Sequence, residues 1–128
     1  MTDKPLTQVL PEHKGLAFLL TKSYKEGMSA EALYEATRGV WIGVPKQDAS
    51  FLYAFAVHKK VVKEVYEIEK WVKAGTQPYK TRSLTPENMA NRWEFVGHVA
   101  PDSVRDLYVG KEIDRPKGQG RPIVKVGG

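Results

Sequence analysis

The chain has 128 residues, the size of one domain. With 41% hydrophobic and 27% charged residues it has an ordinary globular composition, and its eleven Gly and eight Pro are too few for a collagen-like or low-complexity chain. It has no Cys, which excludes a disulfide scaffold, a zinc ribbon and a thiol nucleophile.

No apolar run approaches the roughly 18–20 residues that span a bilayer. Met1 to Pro5 lacks the charged-then-apolar pattern of a secretory signal, so a cytoplasmic protein without membrane association is expected. The net charge is +5 and the isoelectric point about 9.4, a balance shared by many nucleic-acid binders. The basic excess concentrates late in the chain, where Lys111, Arg115, Lys117, Arg121 and Lys125 face only Glu112 and Asp114.

Residues 1–15 read as a polar lead-in and 16–128 as a single domain. Leu16 to Thr21 is a short apolar run suited to a buried strand. Ser29 is a natural N-cap, Glu31 follows in the first turn, and Leu33, Ala36 and Thr37 share a side, which predicts a helix over Ala30 to Arg38. Gly39 is expected to stop it in a left-handed conformation.

Val40 to Gly43 reads as a brief strand. Phe51 to His58 alternates cleanly, with Phe51, Tyr53, Phe55 and Val57 on one face and Ala54, Ala56 and His58 on the other. Such a strand is packed on both sides, or leaves room for something. Lys59-Lys60 separates it from a β-branched strand over Val61 to Trp71; lacking the Gly or Asn of favoured two-residue turns, this link is expected to be longer or bulged. In that strand Val62, Glu64, Tyr66 and Ile68 are expected on one face, with Val61 and Val65 opposite.

Lys73 to Asn91 is a long irregular stretch, which in a compact domain is usually functional or mobile, and Thr85-Pro86-Glu87 is placed to begin a helical turn within it. Arg92 to Val99 alternates as a strand. Pro101 opens a second main helix with Val104, Leu107 and Tyr108 as its buried stripe and Gly110 as its stop. Gly118 to Pro122 is a turn, and Ile123 to Val126 a closing strand. The order β-α-β-β-β-α-β predicts an α+β fold: a small, strongly bent, mostly antiparallel sheet or barrel with two or three short helices.

His13, His58 and His98 show no metal-ligand spacing, and neither a nucleophile elbow nor a phosphate-binding loop is present, so no metal, cofactor or catalytic triad is expected. Tyr108-Val109-Gly110-Lys111 matches half of a GIY-YIG nuclease signature, but a helix ending on a glycine accounts for it. Arg38, Trp41, Tyr53, Arg92 and Trp93 fall near element ends. Aromatic planes beside guanidinium groups hold unstacked bases, each stacked base contributing about 1–3 kcal/mol, so these five are the candidate ligand-binding residues. Lys111, Lys117 and Arg121 are the candidate phosphate contacts. Two other readings compete. In one, Glu64, Glu94 or His58 is the acid or base of an enzyme acting on a nucleotide or modified base. In the other, the aromatics of Phe51 to Val57 form an exposed protein-docking patch.

The segments Gly27 to Trp41, Tyr53 to Val57, Val61 to Ile68, Arg92 to Gly97 and Tyr108 to Lys111 together resemble an uncharacterised bacterial family over about Leu16 to Val126. In many members this region is similar to the C-terminal half of longer proteins that begin with a GIY-YIG nuclease domain. This chain lacks that half, so the resemblance implies an accessory module that binds DNA, RNA or a nucleotide, with a nuclease as partner and no nuclease chemistry of its own. Gly118 and Gly120 depart from the Gly-Ala-Gln-Asn-Pro ending of such relatives. In strand order and in the style of Val61 to Ile68 the chain also resembles PUA-like folds, including ASCH and EVE domains, several of which bind RNA or modified bases.

Overall fold

A computed structural model of the chain describes residues 13–20, 24–39, 41–42, 52–81, 85–112 and 123–126. The elements are β1 (Gly15–Leu19), α1 (Ala30–Arg38), β2 (Tyr53–His58), β3 (Val61–Lys73), α2 (Pro86–Met89), β4 (Trp93–Val99), α3 (Asp102–Tyr108) and β5 (Ile123–Val126). They form an α+β domain with a five-stranded sheet in the order β4-β3-β2-β1-β5. β1 and β2 are parallel, a pairing that needs a crossover connection, here carrying α1; the other three pairs are antiparallel. The sheet is open, with β4 and β5 at its edges, so the expectation of a closed barrel is corrected. Among the described residues no helix is long and apolar enough to cross a membrane.

The sheet is packed on both faces, which answers the question posed by the alternation of β2. On one face Ala17, Phe55, Val57, Val62 and Val65 meet Val104 and Tyr108 of α3. On the other, Leu16, Phe18, Ala54, Ala56, Tyr66, Ile68 and Phe95 pack with Leu33 and Tyr34 of α1. The small Ala54 and Ala56 leave room there for larger side chains from β1, β3 and β4. Phe55 and Val57 are buried and Tyr53 is half-buried, so this row is core and not an exposed docking patch; Phe51 lies outside the described residues. Leu107 is exposed, so the buried stripe of α3 is narrower than predicted.

Two register shifts shape β3. Opposite Ala56 and Val57 stand Glu64 and Val62, leaving Lys63 unpaired. An extra residue reverses the alternation, which is why Val62 clusters with Val65 and not with Tyr66 as the unbroken pattern predicted. The second shift leaves Glu69 unpaired against β4. Beyond it β3 bends toward the α1 face. Trp71 lies seven residue steps along β3 from Glu64, which is level with Phe18 through Ala56; a straight strand would span about 23 Å there, yet the Phe18 and Trp71 rings are 6.3 Å apart.

The β2–β3 link is a two-residue turn, shorter than expected. Lys59 (φ 50°) and Lys60 (φ 70°) both occupy the left-handed region, the pattern of a type I′ hairpin turn. α1 begins as predicted, with Ser29 Oγ accepting the Ala32 N–H at 3.1 Å, a cap that stabilises by about 1 kcal/mol.

The outer edge of β4 is covered. Trp41 exchanges two backbone hydrogen bonds with Trp93 (2.9 and 2.8 Å), Gln77 Nε2 donates to Phe95 O at 3.0 Å, and Tyr34 Oη both donates to Gly97 O and accepts from Gly97 N at 3.0 Å. Val40 to Gly43, expected as a strand, contributes Trp41 as a single bridge; Val40 and Gly43 lie outside the described residues.

Candidate nucleic-acid interface

α1 ends in an unusually polar core. Glu35 is 3% exposed, Arg38 6%, and Glu94 of β4 is fully buried. Buried charges must be paired or hydrogen-bonded, and here both carboxylates are saturated by one loop, residues 75–81. Glu94 Oε1 accepts from Gly75 N (2.8 Å) and Tyr79 Oη (3.0 Å), and its Oε2 accepts from Gln77 N (3.0 Å) and Gln77 Nε2 (2.7 Å). Glu35 accepts from Lys80 N at 3.0 Å and from Thr81 N and Oγ1 at 2.9 and 2.8 Å. Burial alone would raise the Glu35 pKa, but the Lys80 and Thr81 backbone bonds, the Thr81 hydroxyl and the nearby Arg38 charge together hold it below its ordinary value.

Arg38 ties the same loop to the helix. Its guanidinium donates to Pro78 O and to Gln77 Oε1 (3.4 Å), and it lies 4.3 Å from the centre of the Tyr79 ring and 5.3 Å from that of Tyr34. Its Nε is buried without a hydrogen-bond partner among the described residues. Burial first, then the Glu94 charge, push the Tyr79 hydroxyl up to about 12, so it stays a proton donor to Glu94 at any physiological pH. Gly39 passes over this cluster in extended conformation (φ −169°), not in the left-handed conformation expected of it. A side chain there would start 2.5 Å from Tyr79 Oη and 2.8 Å from Glu94 Cβ, so close approach is what requires glycine.

The braced loop flanks the paired tryptophans. Trp41 Nε1 donates to Thr37 O at 2.8 Å, satisfying a carbonyl in the last turn of α1, and its ring lies 5.0 Å from that of Phe18. Directly opposed residues of an antiparallel bridge project to the same face, so Trp41 and Trp93 are cross-strand neighbours; both are half-buried and leave part of their surface to solvent. Arg92 precedes Trp93, half-buried, and exposed Lys73 stands opposite Trp93 in β3.

The structure thus brings together Arg38, Trp41, Arg92 and Trp93. Arg38 acts as an internal strut, and Arg92 is the arginine of this group with more solvent access. Tyr53 lies apart, packed with the α3-side core and edge-on to the His13 ring at 5.6 Å. Lys111 follows α3 at the opposite end of β3, where its carbonyl accepts from Val62 N at 2.9 Å. Lys117 and Arg121 lie outside the described residues.

The acid–base candidates are engaged structurally. Glu64 is bound by Arg105 through Nε (2.7 Å) and Nη2 (3.1 Å), Glu94 by the loop, and His58 Nδ1 by Leu20 O at 2.7 Å. Glu64 also borders an open cavity of about 340 Å³ between α1 and β4, lined with Leu33, Tyr34, Tyr66, Gly97 and His98; none of the five candidate ligand-binding residues borders it. Among the described residues no three His, Asp or Glu side chains gather in a metal-ligating group.

Sequence reasoning missed Glu35, Gln77 and Tyr79. The length of the Lys73 to Asn91 stretch was the available signal for the last two. Nothing in the periodicity of α1 marked Glu35 as buried. The chain matches no family model, no curated protein and no solved structure.

Proposed function

We propose that this protein is a nucleic-acid- or nucleotide-binding module that stacks bases on the Trp41–Trp93 pair and meets the adjoining phosphates with Arg92 and Lys73. The observation that carries the reading is the mutual backbone pairing of Trp41 with Trp93, which makes two half-buried tryptophans cross-strand neighbours on one sheet face. Stacking is tolerant of base identity because every base has a π-face, and a neighbouring guanidinium adds phosphate and cation–π contacts. The Gly75–Thr81 loop, held by Glu35, Arg38 and Glu94, keeps the ground beside this platform rigid, so little ordering cost attends binding. With Glu64 and Glu94 committed to hydrogen bonds, the site binds and does not cut.

The test is a tryptophan-fluorescence titration with oligothymidylate and oligouridylate at about 50 mM salt, where phosphate contacts are strong. Quenching with saturation is expected. Trp93→Ala should weaken binding by one stacked base, about 1–3 kcal/mol or roughly 5- to 150-fold. Trp41→Phe, which keeps the contact with Phe18, should weaken it less. Absence of binding to either polymer at this salt sinks the reading.

A further inference from the structure

The β2–β3 turn breaks a local rule. Type I′ turns favour Asn-Gly because both central residues take positive φ, and here both positions are lysine. Lysine carries the Cβ penalty of the left-handed region and has no short side chain with which to relieve it. A strained local choice that persists in a fold points to a role for the side chains themselves.

A second observation concerns what lies beside the turn. After α3 the chain returns to β3: Gly110 N donates to Val62 O (2.8 Å), Val62 N donates to Lys111 O (2.9 Å), and Glu112 bridges Val61. Lys111 is therefore anchored within two residues of Lys60. Lys59 and Lys60 are exposed, and no ion pair engages either of them among the described residues. Lys63 stands apart from this group, its ammonium being 3.9 Å from Glu26 and 5.1 Å from the centre of the Tyr24 ring. Of residues 59–61 and 110–112, which form this tip, Glu112 is the one acidic residue against Lys59, Lys60 and Lys111, so the tip carries net positive charge.

We infer that the Lys59-Lys60 turn, with Lys111, is a second contact for the phosphate backbone of a single-stranded nucleic acid whose bases stack at Trp41 and Trp93. This rests on the proposed function and extends it along β3. The turn opens β3 at Val61, and Trp93 stands opposite its last residue, Lys73. Twelve residue steps span at most about 40 Å, and less once β3 bends. A strand of roughly 16 nucleotides covers about 50 Å even at a rise of 3.4 Å per nucleotide, whereas one of roughly 4 reaches only one end.

Oligothymidylates of these two lengths, end-labelled, separate the two ends of β3 in fluorescence-anisotropy titrations of the full chain between about 0.05 and 0.3 M salt. The variant Lys59→Asn/Lys60→Gly removes the charges while supplying the residues the turn prefers, so it folds at least as well as the parent. For the long strand, loss of two phosphate contacts should lower the salt slope by about 1.4 and weaken binding about 25-fold at 0.1 M. The short strand should bind as before, and Lys59→Arg/Lys60→Arg should bind the long strand like the parent. An unchanged long-strand affinity and slope would overturn the inference and leave the tryptophan platform standing. An equal loss for both lengths would also overturn it, because the lysines would then act through the fold. If the parent chain bound neither length, the proposed function would fall and take this contact with it.

Discussion

Glu94→Ala should remove much of the stability of the domain. The substitution strips four hydrogen bonds from a carboxylate with no solvent exposure and leaves Gly75 N, Gln77 N, Gln77 Nε2 and Tyr79 Oη without their acceptor. Bonds to an ionised acceptor contribute about 1.5–3 kcal/mol each. They do not add in full, because Gly75 is exposed and water can replace its partner, while Gln77 and Tyr79 are half-buried. About 3–5 kcal/mol is the expected total, against a whole-domain stability of about 5–15 kcal/mol. At about 4 °C per kcal/mol for a domain of this size, Tm should fall by about 12–20 °C. Glu94→Gln should cost about half as much. Its amide nitrogen, placed where Oε1 sits, conflicts only with Gly75 N, since the Tyr79 hydroxyl can rotate to accept. Urea unfolding followed by circular dichroism measures both, and proteolytic nicking within residues 75–81 reports whether the loop has come loose. A cost below about 1 kcal/mol for the alanine variant, or equal costs for the two variants, would refute the view that this carboxylate organises the loop.

Gly39→Ala should destabilise by about 1–3 kcal/mol through overpacking against Tyr79 and Glu94, and Tyr79→Phe in the same chain should recover part of the loss; thermal melts decide both. Because Glu35 in the folded chain binds its proton less readily than the ordinary 4.5, its stabilising contribution is complete above that pH and is lost as the pH falls through the lower folded value; Glu35→Gln should flatten this acid limb in urea-unfolding series taken at successive pH values. Lys59→Asn/Lys60→Gly should raise stability by about 1–2 kcal/mol, the relief of left-handed strain at two lysines, read from the shift in urea midpoint.

Much of the framework was legible because local chemistry and periodicity agreed with the tertiary structure. Ser29, Glu31 and the Leu33–Ala36–Thr37 stripe marked α1 to the residue, and the alternation of Phe55 with Ala54 and Ala56 announced a strand covered on both sides. The failures share a cause: each depended on a partner distant in sequence. Val62 changed faces because Lys63 is extruded against β2, a register event no single strand encodes. Gly39 was read as a backbone stop, whereas the side chains of Tyr79 and Glu94 exclude a Cβ there. From the sequence Arg38 reads as a ligand-binding candidate, Glu94 as a candidate acid or base and Glu35 as nothing in particular, because the loop of residues 75–81 that engages all three is distant in sequence. The candidate site was half legible: residue type singled out Trp41 and Trp93, but the pairing that joins them crosses 52 positions of chain through one bridge.

The occupied rim of β4 also limits how this domain can meet other molecules. An unpaired strand invites another chain to join the sheet, whether as ligand, swapped segment or aggregate. Here Trp41 and Tyr34 already hold the outward-pointing amides and carbonyls of Trp93 and Gly97, and Gln77 holds the carbonyl of Phe95. A visitor at that flank must therefore be recognised through side chains and rings, not by extending the sheet, and the tyrosine hydroxyl on Gly97 serves as a guard against self-association as much as a fastening for the helix.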